Sequence, residues 1–378
     1  MIYIALTCLF SPILYLLLFF RKKDIRRILV IQTAKIGDLI CSTSVFRAIK
    51  KKYPDARLSV MVSPVTRELL EHNPYINEII TLQNDFYKGF TGKIRLAGLF
   101  RKGRYDVSIS LNPNLPFTLA MFWGLIPVRI SIMPDPRLKP AGTSFAGITY
   151  KMASVFSTYL ERHIRGRLVA DTYMRMLKGI GMEGNDISKD IFKSPDVDNK
   201  IERFLNRENS KFKIGIAVTS GNRLKEWGAE KITSLVDRLI TELNVCIVLI
   251  GSEADRDVSD RILKTTEQRD MIIDAVGKFT IGELPALIQR LSLLIAVDTG
   301  VIYMADALNI PLVDIAGPAD MQDQRPTGKK VVIIQKKLSC VPCSHAFKAP
   351  YSCRYRHREC ITSITVEEVF EGVSRLMA

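Results

Sequence analysis

The first twenty positions, Met1 to Phe20, carry no charge and are dominated by Leu, Ile and Phe; Arg21, Lys22, Lys23, Arg26 and Arg27 follow at once. About 20 apolar residues rising ~1.5 Å each span a ~30 Å hydrocarbon core, so this segment is predicted to be a membrane anchor. Its basic flank belongs on the cytoplasmic side. A cleavable signal fits worse, because there is no basic leader and no small-residue cleavage site before the basic run. Pro12 allows either a kinked span or an insertion that only dips into the bilayer. The competing reading, a buried core helix, makes a poor neighbour for five clustered cations.

Beyond the anchor, short apolar runs alternate with helical periodicity. Arg26–Gln32, Leu58–Val62, Ile76–Thr81 and Asp106–Leu111 read as strands. Leu39–Lys52 reads as a helix with Leu39, Val45, Phe46 and Ile49 on its apolar face, and Arg67–Glu71 as a shorter one. Residues 86–104 read as a glycine-containing basic stretch, 134–148 as an irregular Pro/Gly-rich segment, and Arg162–Met182 as a helix closing the domain. After a polar linker over 183–212 the alternation resumes: strands at Lys213–Val218, Val245–Ile250, Met271–Ile273, Leu293–Val297 and Leu312–Ile315, with helices at Ala229–Leu243, Asp255–Thr265, Ile281–Arg290 and Val301–Leu308. Val366–Met377 reads as an amphipathic helix placed to pack across the junction. Alternating strands and helices mean parallel sheets covered on both faces. The prediction is an α/β chain with an anchor at 1–20, one doubly wound Rossmann-like domain at 24–190, a second at 205–363 and a terminal helix at 364–378, the two domains facing across a cleft.

Composition is ordinary, with 47% apolar and 25% charged residues. Charge is not. The formal net charge is +15, and residues 1–190 carry 28 Lys+Arg against 14 Asp+Glu while the remainder is almost balanced. An anionic partner is therefore expected for the first half: a membrane face, a phosphorylated lipid or nucleic acid. Nucleic acid fits least, since the cations are not interleaved with a stacking platform of aromatics. No G-x-G-x-x-G follows the first strand, which argues against a dinucleotide-dependent oxidoreductase.

Three strand-to-helix turns could carry chemistry, because ligands of such sheets bind beyond the carboxyl ends of strands. Lys35-Ile36-Gly37-Asp38 places a carboxylate where it could take a proton from a hydroxyl; the alternative is an N-cap for a helix starting at Leu39. Thr219-Ser220-Gly221-Asn222-Arg223-Leu224-Lys225-Glu226-Trp227 offers hydroxyls, a glycine and a cation suited to a diphosphate; the alternative is a plain polar loop with Trp227 as a packing anchor. Asp298-Thr299-Gly300 opens a helix whose free amides attract phosphate; again the alternative is an N-cap. Seven cysteines occur, four of them as C-x2-C-x9-C-x6-C at Cys340, Cys343, Cys353 and Cys360, with His345 and His357 among them. The first pair has zinc-ligand spacing and the second is too wide for a standard ribbon, so packed, reduced thiols are preferred over a structural metal.

Taken together and in order, the stretches ILVIQTAKIGDLICSTSVFRAIKKKYPDARLSVMV, RYDVSISL, IGIAVTSGNRLKEWGAEKI and LLIAVDTGVIYMADALNIPLVDIAGP resemble glycosyltransferase family 9, the ADP-heptose:lipopolysaccharide heptosyltransferases. The resemblance runs from Ile28 over nearly all of the chain. It implies a GT-B fold and an inverting sugar transfer from a nucleotide-sugar, ADP-heptose in this family, to a phosphorylated glycolipid of the lipopolysaccharide core or a related envelope acceptor, with no metal or other cofactor required. Asp38 would be the general base. Lys225 would bind the donor's phosphates within Lys225, Trp227 and Glu230, with Gly228 where the family usually has proline. Asp298, Thr299 and Gly300 would form the donor loop, Thr219, Ser220 and Asn222 would line it, and Glu253 would contact the nucleoside. Gly37 and the cations Lys88, Lys93, Arg95 and Arg101 would serve the acceptor. Tyr303 stands where the family usually has a histidine that reaches the diphosphate, which motivates an alternative: an inactive nucleotide-sugar-binding or scaffold protein of envelope assembly. The expected location is the cytoplasmic face of a bacterial inner membrane.

Overall fold

The computed structural model describes residues 2–21, 24–134, 150–206 and 212–377. The cations Lys22 and Lys23, and the Pro/Gly-rich segment 134–148 apart from Pro134, lie outside the described residues. The chain divides into two compact units, Met1–Ile187 and Ser188–Ala378.

In the first unit, helix α1 (Ile2–Phe19) precedes strand β1 (Arg27–Gln32). Helices α2 (Ile36–Cys41) and α3 (Thr43–Lys52) lead to β2 (Arg57–Val62), and a 3-10 turn at Pro64–Leu70 to β3 (Glu78–Thr81). Then come α4 (Gly89–Gly103), β4 (Val107–Ser110), α5 (Leu115–Trp123), β5 (Val128–Met133), β6 (Tyr159–Arg162) and α6 (Val169–Met176). The strands form a fully parallel sheet in the order β3-β2-β1-β4-β5-β6. Strand order reverses between β1 and β4, which opens a crevice at their carboxyl ends. Ile28–Ile31, Leu58, Val60 and Ile109 are fully buried, as expected of central strands covered on both faces.

The second unit repeats the plan. Helix α7 (Val197–Leu205) and β7 (Lys213–Ala217) are followed by α8 (Ala229–Leu243), β8 (Cys246–Ile250), α9 (Arg256–Thr265), β9 (Ile272–Asp274), α10 (Leu284–Gln289), β10 (Leu293–Val297), α11 (Gly300–Ala307), β11 (Leu312–Ile315), β12 (Val331–Ile334) and α12 (Val366–Met377). Its parallel sheet runs β12-β11-β10-β7-β8-β9, with the switch point between β7 and β10. Helix α12 packs on β11, β12 and α8 of this same unit rather than across a junction. Val369, Phe370 and Val373 go into the core, each worth roughly 1.5–3 kcal/mol of burial. Arg238 lies over the Phe370 ring at 4.1 Å and pairs with Glu367.

The spanning anchor is corrected. Among the described residues no helix is long and apolar enough to cross a membrane. Helix α1 has 18 residues with Pro12 inside, about 27 Å at ~1.5 Å per residue. It lies against α5 instead. Ile4, Thr7 and Leu14 are buried there with Leu119, Phe122 and Phe156, and the Trp123 indole donates to Thr7 Oγ1 at 2.9 Å.

Candidate donor and base sites

Asp38 sits in the first turn of α2, just past the carboxyl end of β1 and so at the switch point of the first sheet. The helix begins at Ile36, with Lys35 at the cap position and no side chain bonding there. The N-cap reading of Asp38 therefore fails, because the helix starts three residues earlier than the periodicity suggested. Gly37 is buried and Asp38 half-buried. The turn is held from below: Gln32 Nε2 donates to the Asp38 carbonyl at 3.3 Å, and Asn112, past β4 on the other side of the switch point, accepts from the Thr33 amide at 2.9 Å. Asn112 was missed in the sequence; its signal was its place directly after the apolar run of β4. Tyr173 of α6 is fully buried nearby. Burial first, and then the Asp38 charge, push its phenol well above the ordinary value, so it faces Asp38 as a neutral group.

The basic stretch after β3 forms α4. In a parallel sheet such a helix runs from the carboxyl edge back to the amino edge. Lys88 and Lys93 at its start are thus on the same edge of the sheet as Asp38, whereas Arg101 in its last turn is on the opposite edge, near Arg27 Nη1 bonded to the Gly103 carbonyl. Lys88 pairs with Asp85. Lys93 lies over the Tyr3 ring at 4.4 Å and Arg95 over Phe86 at 5.7 Å.

In the second unit the loops after β7 and β10 flank the other switch point and meet. Lys225 Nζ bonds the Asp298 carboxylate and, at 3.2 Å, the Asp298 carbonyl. Tyr303, itself buried, donates its hydroxyl to Asp298 Oδ1 at 2.9 Å. Thr299 occupies the cap position of α11 with no side-chain cap bond, so Asp298 is not the cap either: it is clamped between a cation and a phenol. Gly300 is the first residue of α11, leaving the helix's opening amides unshadowed by a Cβ. This is a cation held at a helix N-terminus, a pairing suited to a diphosphate.

Two of the proposed donor-loop side chains are spent on the fold. Thr219 donates to Asp255 Oδ1 at 2.5 Å, and Asn222 caps the 3-10 turn Arg223–Lys225 through Leu224 N while its amide donates to the Pro350 carbonyl at 2.8 Å. Ser220 accepts from the Asn222 amide at 3.3 Å. Glu253, past β8, is mostly exposed and only 3.7 Å from Arg256. Trp227 is the packing anchor of the alternative reading: it is buried and donates to the Ile364 carbonyl at 3.0 Å. Gly228 takes φ +107, a conformation closed to proline, whose ring fixes φ near −65°. Glu230 is exposed on α8.

The cysteine-bearing segment braces this loop, since Pro350, Arg358 and Ile364 all bond to it. The four thiols are near enough to feel one another. Burial first, then Cys343, Cys340 and Cys353, push Cys360 up to about 11. Among the described residues the group whose donor atoms converge to within 4.8 Å is a different one, Asp320, Asp323 and His345. His345 Nδ1 lies 2.9 Å from Asp320 Oδ2, and Asp323 accepts from the Ala346 amide at 3.2 Å. The trio fastens the start of the brace to the loop after β11. Sequence reasoning missed it because the residues are 25 apart.

Asp314 was also missed, although a carboxylate inside the run Pro311–Ile315 was a visible anomaly. It is fully buried on β11, and neither carboxyl oxygen has a hydrogen-bond partner. Burial, and then the Asp298 charge, raise it well above the usual carboxylate range, with Lys225 opposing. Asp314 is therefore a neutral acid beneath the Lys225–Asp298 pair.

Two parallel-sheet α/β units, with a phosphate-suited loop in the second and a carboxylate at the switch point of the first, are the features a glycosyltransferase requires. The family model for glycosyltransferase family 9 (heptosyltransferase) matches residues 94–351. The chain is 23% identical over 300 residues to lipopolysaccharide heptosyltransferase 3 of Escherichia coli, covering 78% of this chain and 85% of that protein. It is 25% identical over 361 residues to lipopolysaccharide heptosyltransferase 2 of Salmonella typhimurium, covering 93% and 99%. The structure of E. coli ADP-heptose lps heptosyltransferase II superimposes with a TM-score of 0.72 at 21% identity, covering 93% of this chain and 98% of that one. The chain belongs to glycosyltransferase family 9 and is a glycosyltransferase.

Proposed function

We propose that the protein transfers a heptose from ADP-heptose to a phosphorylated glycolipid of the lipopolysaccharide core or a related envelope acceptor, at the cytoplasmic face of the inner membrane. The observation that carries this reading is the Lys225–Asp298–Tyr303 constellation at the amino end of α11. The donor's diphosphate exchanges for the Asp298 carboxylate on Lys225, and the α11 amides take part of the charge that builds on the leaving ADP. Charge compensation by a lysine and a helix terminus replaces a divalent cation, so transfer runs without metal. Asp38 removes the proton from the acceptor hydroxyl as its oxygen attacks the anomeric carbon, the bond to the β-phosphate breaks on the opposite face, and the configuration inverts. Lys88 and Lys93, on the Asp38 edge of the first sheet, suit the phosphates of the acceptor.

The test is transfer by the purified full chain from ADP-heptose, with UDP-, GDP- and CMP-sugars as competitors. A positioned base contributes roughly 10²–10⁴-fold, so Asp38→Asn should lose that much turnover while binding donor normally. Lys225→Ala should lose donor binding itself. Undiminished turnover in Asp38→Asn would sink the base assignment, and selective binding of another nucleotide-sugar would move the donor.

A further inference from the structure

We propose that α1 and the first half of α4 form one face that lies in the surface of an anionic membrane leaflet, with α1 parallel to the bilayer instead of across it. Helix α1 is apolar all round, but only one stripe of it is covered. Ile4, Thr7 and Leu14 face α5, while Leu9 (70% exposed), Leu16 (60%) and Phe19 (82%) face outward. A helix that is hydrophobic on every side belongs in a core or in lipid, and this outward stripe has no protein cover among the described residues. It does not end at α1. Tyr3 stacks on Phe90 of α4 at 5.9 Å between ring centroids, and Ile94, 57% exposed, continues the patch one turn on. Exposed apolar surface is thus present on two elements that touch through Tyr3.

Charge selects the occupant. Lys93 and Arg95 border Phe90 and Ile94, and Arg21 and Arg26 lie past the other end of α1. An apolar stripe with cations at both ends matches the interface of acyl chains and anionic headgroups; a second copy of the same face would set cation against cation. The orientation follows from the packing. The Tyr3 end of α1 lies beside the start of α4, at the carboxyl edge of the sheet. At the other end, Arg21 Nη2 donates to the Tyr105 carbonyl at 3.2 Å, at the amino edge. The helix is therefore fastened along its length, and standing it across a bilayer would tear Thr7 from Trp123 and Leu14 from Phe122. The inference deepens the glycolipid reading, since it holds the Asp38 edge of the sheet where a lipid-borne acceptor resides. It stands or falls separately, because docking is measured with neither donor nor acceptor present.

The experiment is flotation of the full chain with vesicles of phosphatidylcholine alone and of phosphatidylcholine with phosphatidylglycerol. The chain should float with the anionic vesicles, less with the neutral ones, and progressively less as salt rises. Leu9→Glu with Leu16→Glu should cut the floating fraction at least tenfold while donor binding, read by calorimetry, stays intact. Depth supplies a readout independent of that variant: bimane placed on Cys8, or on Leu16→Cys with Cys8 itself made serine, in a chain whose Cys343 and Cys353 are serine and which still floats, should be quenched equally by lipids brominated at a given depth. A spanning helix would separate those positions by about 12 Å. Unchanged flotation of the double variant, a depth gradient between the labels, or a dimer in solution that the same variant dissolves without affecting flotation would each overturn the proposal.

Discussion

Tyr303→Phe isolates one hydrogen bond at the centre of the donor site. The ring stays, so the substitution opens no cavity, and what is lost is the hydroxyl that donates to Asp298 Oδ1 at 2.9 Å. Both residues are buried, at 3% and 7% exposure, so water does not replace the bond. A hydrogen bond to a charged partner is worth about 1.5–3 kcal/mol. Asp298 keeps Lys225 on its other oxygen, which argues for the lower end, about 1.5 kcal/mol. With a urea slope of about 2–3 kcal/mol per molar for a unit of this size, the unfolding midpoint should fall by about 0.5–0.8 M. A double-substitution cycle with Asp298→Asn should return a coupling of about 1 kcal/mol. Donor affinity should weaken too: deprived of the phenol, Asp298 holds Lys225 more strongly against the diphosphate, and each ~1.4 kcal/mol of that competition is tenfold in Kd. A midpoint shift under about 0.2 M together with zero coupling would refute the clamp.

Lys189→Met strips the buried Asp306 carboxylate of the ammonium 2.6 Å away. It should destabilise by about 3 kcal/mol or more in urea unfolding, and adding Asp306→Asn should recover part of that, the amides of Thr327 and Gly328 still finding the side-chain carbonyl. Asp314→Val removes an acid with two unmade hydrogen bonds and should stabilise by about 1–3 kcal/mol. Because folded Asp314 holds a proton that the unfolded chain releases above pH ~4, the parent loses stability as pH rises from there toward the raised folded value. The gap between variant and parent should therefore widen from pH 5 to 8, and a gap independent of pH would show that Asp314 is not held neutral. Burial pulls the Cys353 thiol up, but the amides of Arg358, Tyr355, Arg356 and His357 together outweigh it and leave it below the ordinary value, whereas Cys360 is pushed up to about 11. Alkylation at pH 7.5 followed by peptide mapping should label Cys353 well before Cys360, and the reverse order would contradict that thiolate ranking.

The sequence was readable where burial imposes period or an unbroken apolar run. The central strands β1, β2, β7, β8, β10 and β11 stood out because both of their faces are covered. Helix α4 did not, because its four glycines oppose helix formation. Tertiary packing overrides them: Leu96 and Phe100 are fully buried, and a Cβ on Gly92 would come within 2.6 Å of the Tyr87 carbonyl carbon. Helix α5 has an Asn114 cap but no polar face, since it is sandwiched between its sheet and α1, so periodicity could not announce it. The length and hydropathy of α1 were plain; that Thr7 and Trp123 hold it to the domain could not be read, because the two are 116 residues apart.

The donor loop was legible as a set of residue types and illegible as a mechanism of support. Its residues bond to carbonyls more than 120 positions away, Asn222 to Pro350 and Trp227 to Ile364, while Arg358 returns a bond to Glu226. A loop that must place a lysine within reach of a diphosphate needs such fixing, since small displacements of a binding cation are costly in rate. The segment that supplies it carries the four cysteines, and Lys225 is among the charges that act on Cys343. Chemistry on those thiols therefore bears on donor binding through the brace, so a chain alkylated at Cys353 and Cys343 should bind its donor more weakly with the Lys225–Asp298–Tyr303 residues untouched.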